Sequence, residues 1–170
     1  MKRAPPLRRG AAVVDLGCWP GSWLQLLSER VGPEGRVVGV DLEPTDSVAP
    51  NVTVLALDMT ELETASAIAA ALGRPADAVL CDAAPKLTGI KDVDLASIEE
   101  LYAAAFQIAR QVMKPTGFLI VKGFPGQESD LFRKELRRAY AKVDEVRPEG
   151  KRATSKEFYW VASALRASTV

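Results

Sequence analysis

The chain has no histidine in its 170 residues. That absence excludes Ser-His-Asp and Cys-His catalysis, imidazole general bases and His-ligated metal sites. Cysteine is almost as scarce, with only Cys18 and Cys81. Two thiols cannot hold a zinc ion alone, and they do not form the spaced set of a secreted disulfide framework. Both are expected as reduced, half-buried thiols near strand ends, and no metal site is expected. No apolar run approaches the roughly 18 residues of a bilayer span. The basic start MKRAPPLRRG is not followed by the apolar stretch of a secretory signal. These absences point to a cytoplasmic protein with no membrane contact. Net charge is missing too, because Lys+Arg and Asp+Glu number 22 each. A dedicated nucleic-acid binder usually carries a basic excess. Attraction to a polyanion would therefore have to come from local patches: Lys2-Arg3 with Arg8-Arg9, Arg133-Lys134 with Arg137-Arg138, and Lys151-Arg152 with Lys156.

What remains is an ordinary globular composition, 48% hydrophobic and 26% charged, enough for one domain with its own core. A basic tail over residues 1–10 and one domain over 11–166 are expected. Strand-like and helix-like stretches alternate. Apolar strand runs are expected at 11–16, 36–42, 52–57, 77–82 and 118–122. Helical spacing is read at 22–31, 61–72, 95–113 and 128–141. Two closing strands at 143–147 and 157–165 have only a charged loop between them. Strands separated by helices imply a parallel sheet covered on both faces, and the last pair is expected to run antiparallel.

Three polar residues stand at or beside ends of these strand runs: Asp82 in AVLCDAAP, Lys122 in FLIVKGFPG and Glu157 in TSKEFYWVA. Charged side chains are seldom buried without a partner or a task. In an open parallel sheet, ligands bind beyond the carboxyl ends of the strands. Asp82 and Lys122 end their strands there, and an antiparallel last strand would begin on the same edge with Glu157. Without chemistry, the trio would be a buried ion-pair network. With it, the trio could activate a hydroxyl group. Desolvation would favour neutral Lys122, a general base, whereas the flanking acids would favour charged Lys122, a stabiliser of a developing alkoxide.

The first strand runs into Asp15-Leu16-Gly17-Cys18-Trp19-Pro20-Gly21-Ser22-Trp23. Glycines at 17 and 21 permit a tight turn and close approach of a ligand. The spacing is G-x-x-x-G rather than the dinucleotide G-x-G-x-x-G, and Pro20 lacks the N–H that a pyrophosphate cradle needs. Asp41 closes the second strand in VVGVDLEP, where an acid can accept hydrogen bonds from both ribose hydroxyls. Asp58 follows the third in LALDMT and could accept from an adenine amino group. Each acid has a plainer reading as a turn or cap residue. Together they suit S-adenosylmethionine, a nucleoside without phosphates, better than NAD.

These segments, with VLCDAAPKLTG, VDLASIEELYAAAFQIARQVMKPTGFLIVKGFPG and RATSKEFYWVA in this order, resemble the FtsJ/RrmJ family of RNA 2′-O-methyltransferases over about residues 11–165. The resemblance implies a Rossmann-like S-adenosylmethionine-dependent methyltransferase fold with a seven-stranded sheet. It implies cofactor contacts at Gly21, Trp23, Asp41, Asp58 and Asp82. It places three members of a Lys-Asp-Lys-Glu tetrad on Asp82, Lys122 and Glu157. The family's first lysine lies on a helix before the first strand, and the ten residues before Ala11 show no match to it. The implied partner is RNA, with a uridine of ribosomal RNA in a large-subunit particle as acceptor, and the implied state is a monomer. Two other functions remain open: a degenerate member that binds cofactor or RNA without turnover, and an NAD-dependent oxidoreductase.

Overall fold

Strand β1 (Ala12–Leu16) is buried at every position, as a central strand covered on both faces must be. The computed structural model describes residues 4–86, 88–148 and 158–166. After β1 come α1 (Ser22–Val31), β2 (Arg36–Asp41), β3 (Val52–Ala56), α2 (Thr64–Leu72) and β4 (Ala76–Cys81). They are followed by α3 (Lys91–Val112), β5 (Met113–Gly123), α4 (Gln127–Ala139), β6 (Tyr140–Val146) and β7 (Phe158–Leu165). The strands form one seven-stranded sheet in the order β3-β2-β1-β4-β5-β7-β6. Strands β1 to β5 pair in parallel, and β7 is antiparallel to both β5 and β6, so six strands share one direction and β7 alone opposes them.

The period of two along each strand separates two cores. Ala12, Val14 and Leu16 face a cluster with Ile68, Leu72, Phe106 and Leu136 from α2, α3 and α4. Val13 faces the other cluster with Leu24, Leu27 and Val31 from α1. Ala4 and Leu7 pack on this second cluster, and Gly10 N–H donates to Val31 O at 2.7 Å. No helix among the described residues is long and apolar enough to cross a membrane.

Several element ends differ from the sequence reading; α2, for one, begins at Thr64 rather than 61, and β6 at Tyr140 rather than 143. Helix α3 begins at Lys91 rather than 95, because the Asp94 carboxylate gathers the N–H groups of Thr88 and Gly89 and organises the preceding turn. Strand β5 begins at Met113, which pairs with Ala76 across a register shift. Helix α4 stops at Ala139, because Tyr140 is buried and enters the sheet opposite Leu165. Both cysteines are buried rather than half-buried.

Candidate active site

The turn after β1 is shaped by backbone contacts. Gly17 has φ 77°, and a Cβ there would lie 2.6 Å from the Ala83 backbone, so only glycine fits. The N–H groups of Gly17 and Cys18 both donate to Val40 O, at 2.8 and 3.2 Å. Gly21, at φ 102°, begins α1. Asp41 holds the turn from the end of β2. Its Oδ2 accepts from Trp19 N–H and its Oδ1 from Glu43 N–H, each at 2.9 Å.

A cavity of about 360 Å³ opens beyond the carboxyl ends of β1, β2, β4 and β5. Gly17, Trp19, Asp41, Asp58, Asp82 and Lys122 are among its lining residues. Asp58 Oδ1 accepts from Thr60 N–H and Thr60 Oγ1, both at 2.8 Å, so this acid also shapes its own turn. Asp82 N–H extends the β1–β4 ladder by donating to Leu16 O at 3.0 Å. Its Oδ1 then lies 3.4 Å from Lys122 Nζ and accepts from the Tyr159 hydroxyl at 2.7 Å. Lys122 and Tyr159 are direct cross-strand partners. The end of β5 is tied down by Phe124 N–H, which donates to the Tyr102 hydroxyl at 3.0 Å. A larger cavity, about 680 Å³, lies at the opposite ends of β2 and β3. Its Ser28 and Asn51 side chains bond each other at 2.7 Å, and Arg9, Glu29 and Arg36 are its ionisable lining residues.

Beneath the smaller cavity lies Asp15, 0% exposed, with neither carboxylate oxygen hydrogen-bonded among the described residues. Burial, reinforced by the negative charges of Asp82 and Asp41, pushes its pKa up to about 7. A buried acceptor without a donor is costly, and that cost is met by favouring the protonated carboxyl. Burial also pushes the thiols of Cys18 and Cys81 up to about 12, which leaves them protonated and unreactive at neutral pH.

Gly17, Asp41, Asp58, Asp82 and Lys122 thus come together around one cavity. Gly21 and Trp23 stand behind it. Trp23 packs its ring on Tyr159, with centroids 6.0 Å apart. Glu157 lies outside the described residues, as do Lys2-Arg3 and the patch Lys151-Arg152 with Lys156. Sequence reasoning missed Asp15 and Tyr159. The signal for Asp15 was present, a lone charge in the apolar run AVVDL. Tyr159 sits within the aromatic run FYW at the start of β7, and no local signal set it apart there.

A family model described as FtsJ-like methyltransferase matches residues 1–165. The chain belongs to this family. It is 43% identical over 164 residues to ribosomal RNA large subunit methyltransferase E of Methanothrix thermoacetophila, with 96% of this chain and 63% of the relative covered. It therefore spans about three-fifths of that relative's length. A putative ribosomal RNA methyltransferase from Plasmodium falciparum shares its fold, with a TM-score of 0.78 at 24% identity over 92% of this chain and 87% of the other. Fibrillarin of Aeropyrum pernix, solved with natively bound S-adenosyl-L-methionine, superposes with a TM-score of 0.65 at 17% identity, covering 93% and 68% of the two chains. The seven-stranded sheet is that of an S-adenosylmethionine-dependent methyltransferase.

Proposed function

We propose that the chain transfers a methyl group from S-adenosylmethionine to a ribose 2′-hydroxyl of RNA, on a uridine of large-subunit ribosomal RNA. The observation that carries this reading is the Lys122–Asp82 pair, 3.4 Å apart, on the wall of an acid-lined cavity in a fold of this family. The cavity suits the cofactor. Its lining acids Asp41, Asp58 and Asp82 can accept from hydroxyl and amino groups of a nucleoside, and its turn lacks a phosphate cradle because Pro20 has no N–H. Asp41 would take the ribose hydroxyls. A carboxylate has about four acceptor sites, so its two backbone partners leave room. Asp58 would take the adenine amino group, and Asp82 the cationic end. Gly17 and Gly21 let the turn approach the ligand, and Trp23 supports the wall through Tyr159.

When bound, the cofactor supplies a methyl group activated by a positively charged sulfur. A ribose hydroxyl is a poor acid, so the protein's task is to position it and remove its proton. Lys122 stands where it would receive that proton or stabilise the developing alkoxide. Asp82 fixes the direction of the lysine. Glu157 is assigned to orient Lys122 on the strength of the resemblance. The relative's name supports ribosomal RNA of the large subunit as substrate. The working form is a cytoplasmic monomer. With Lys+Arg and Asp+Glu equal at 22, long-range attraction to RNA is small, so naked RNA should bind weakly and be displaced by salt. A pre-organised ribosomal particle should be the better substrate.

Single-turnover transfer of labelled methyl to ribosomal subunits, to a free hairpin and to an RNA with a 2′-deoxy target tests the proposal. Transfer to the first, slower transfer to the second and none to the third are expected. Methylation of the deoxy substrate would mean a base methyltransferase. Cofactor binding without any transfer would mean a degenerate member, and binding of NAD instead would mean an oxidoreductase.

A further inference from the structure

Among the described residues, two side chains meet Asp82 Oδ1: Lys122 Nζ at 3.4 Å and the Tyr159 hydroxyl at 2.7 Å. The shorter contact is the tyrosine's. Asp82 follows β4, Lys122 sits on β5 and Tyr159 on β7, so three strands meet at one oxygen. Lys122 and Tyr159 are opposite each other in antiparallel register, which puts their side chains on the same face of the sheet. Tyr159 is 4% exposed, and Trp23 from α1 packs against its ring at 6.0 Å. A buried ring with two torsions, packed on a second ring, is a rigid holder for a hydroxyl.

Lys122 by contrast ends in a flexible four-carbon stem, and its contact with Asp82 is long for a charge-assisted bond. If the lysine alone held Asp82, the two side chains would move together and would close into a tighter ion pair. A fixed donor on the same oxygen prevents this. It takes part of the carboxylate's charge and sets the direction from which Lys122 approaches. The lysine is then oriented without being locked into a close salt bridge that would hold it away from the acceptor hydroxyl.

We infer that Tyr159 is a positioning residue for methyl transfer, its hydroxyl fixing Asp82 so that Asp82 in turn aims Lys122 at the acceptor hydroxyl. This rests on the proposed function and adds to it a residue outside the Asp82, Lys122 and Glu157 trio. Tyr159→Phe keeps the ring and its packing on Trp23 and deletes only the hydroxyl. Tyr159→Leu deletes both.

The experiment measures kcat, the KM for ribosomal subunits and the Kd for S-adenosylmethionine in wild type and both variants. It also records the carboxyl carbon-13 resonances of Asp82 and Asp58 in the free proteins. Tyr159→Phe should lower kcat about tenfold, the loss of roughly one hydrogen bond, with KM and Kd within about twofold. The Asp82 resonance should shift in Tyr159→Phe and the Asp58 resonance should not. Tyr159→Leu should lose kcat at least as far and should also melt lower. A wild-type kcat in Tyr159→Phe would overturn the inference, as would a defect confined to the RNA KM. If wild type transfers no methyl group to any RNA, the proposed function fails. The inference then fails as a statement about catalysis, and the Asp82 resonance still reports whether the hydroxyl holds that carboxylate.

Discussion

Strands β4 and β5 carry an aspartate–lysine pair at each end, and the two pairs live in opposite surroundings. At the amino end Asp77 meets Lys114 and also accepts from Ala12 N–H at 2.9 Å. At the carboxyl end Asp82 meets Lys122 at 3.4 Å beside a cavity, with the unpartnered carboxylate of Asp15 beneath it. The side chain of Lys114 is 41% exposed and that of Lys122 only 17%. The same two residue types therefore serve two purposes. Where donors and acceptors balance, the pair closes a strand end. Where acids outnumber donors beside open space, the pair awaits a ligand. An ion pair alone does not mark a site; unmet hydrogen-bonding capacity next to a cavity does.

The largest expected contrast comes from truncating the two lysines. Lys122→Ala should lower methyl transfer by roughly 10²–10⁴-fold, the usual range for losing a proton-transfer group, and leave cofactor binding within about twofold. Lys122→Arg should not restore it, because guanidinium stays protonated and presents a planar fork. Lys114→Ala should leave kcat unchanged and lower stability by about 1 kcal/mol or less. Single-turnover rates and chemical denaturation of the two variants check this. Equal effects on kcat would erase the distinction between the two ends.

The next contrast is in pH. Asp15 has its carboxyl raised to about 7 from an ordinary 3.8, so the folded protein holds a proton that the unfolded chain releases. Stability should therefore be full below the ordinary value, fall as pH rises from about 4 to 7, and level off above. The loss is on the order of 2–4 kcal/mol. Asp15→Asn should remove most of this slope and raise the melting temperature of the ligand-free protein at pH 8. Asp77 has the opposite sign. Burial alone would raise its carboxyl, but the Lys114 bond, the Ala12 N–H and the charges of Lys114 and Arg74 outweigh that and lower it. Its contribution is present at neutral pH and disappears only as pH falls below the ordinary carboxylate range. Melting curves from pH 3 to 9 on wild type, Asp15→Asn and Asp77→Asn separate the two. A flat wild-type curve between pH 4 and 7 would show that Asp15 has a donor after all.

The smallest effect tests how far Asp41 belongs to the ligand rather than to the turn. Its oxygens already hold the N–H groups of Trp19 and Glu43. Asp41→Ala should weaken S-adenosylmethionine about tenfold by calorimetry, on the order of one charge-assisted hydrogen bond. An unchanged Kd would leave it with the turn alone.

The element order, the parallel sheet with its antiparallel last strand, and the convergence of Asp82 and Lys122 on one edge were legible in the sequence. They follow from local periodicity and from connection rules that act along the chain. The turn glycines were legible too, because Gly17 is demanded by backbone geometry. What only the tertiary structure decided is who partners whom. Nothing in AVVDL says that Asp15 ends without a donor while Asp77 in ADAVLC gains two, since both are single acids in apolar strands. Likewise the path from Trp23 through Tyr159 to Asp82 joins α1, β7 and the end of β4 and has no local trace. Hydrogen-bond satisfaction is a property of the packed neighbourhood, and that neighbourhood exists only once distant segments are brought together.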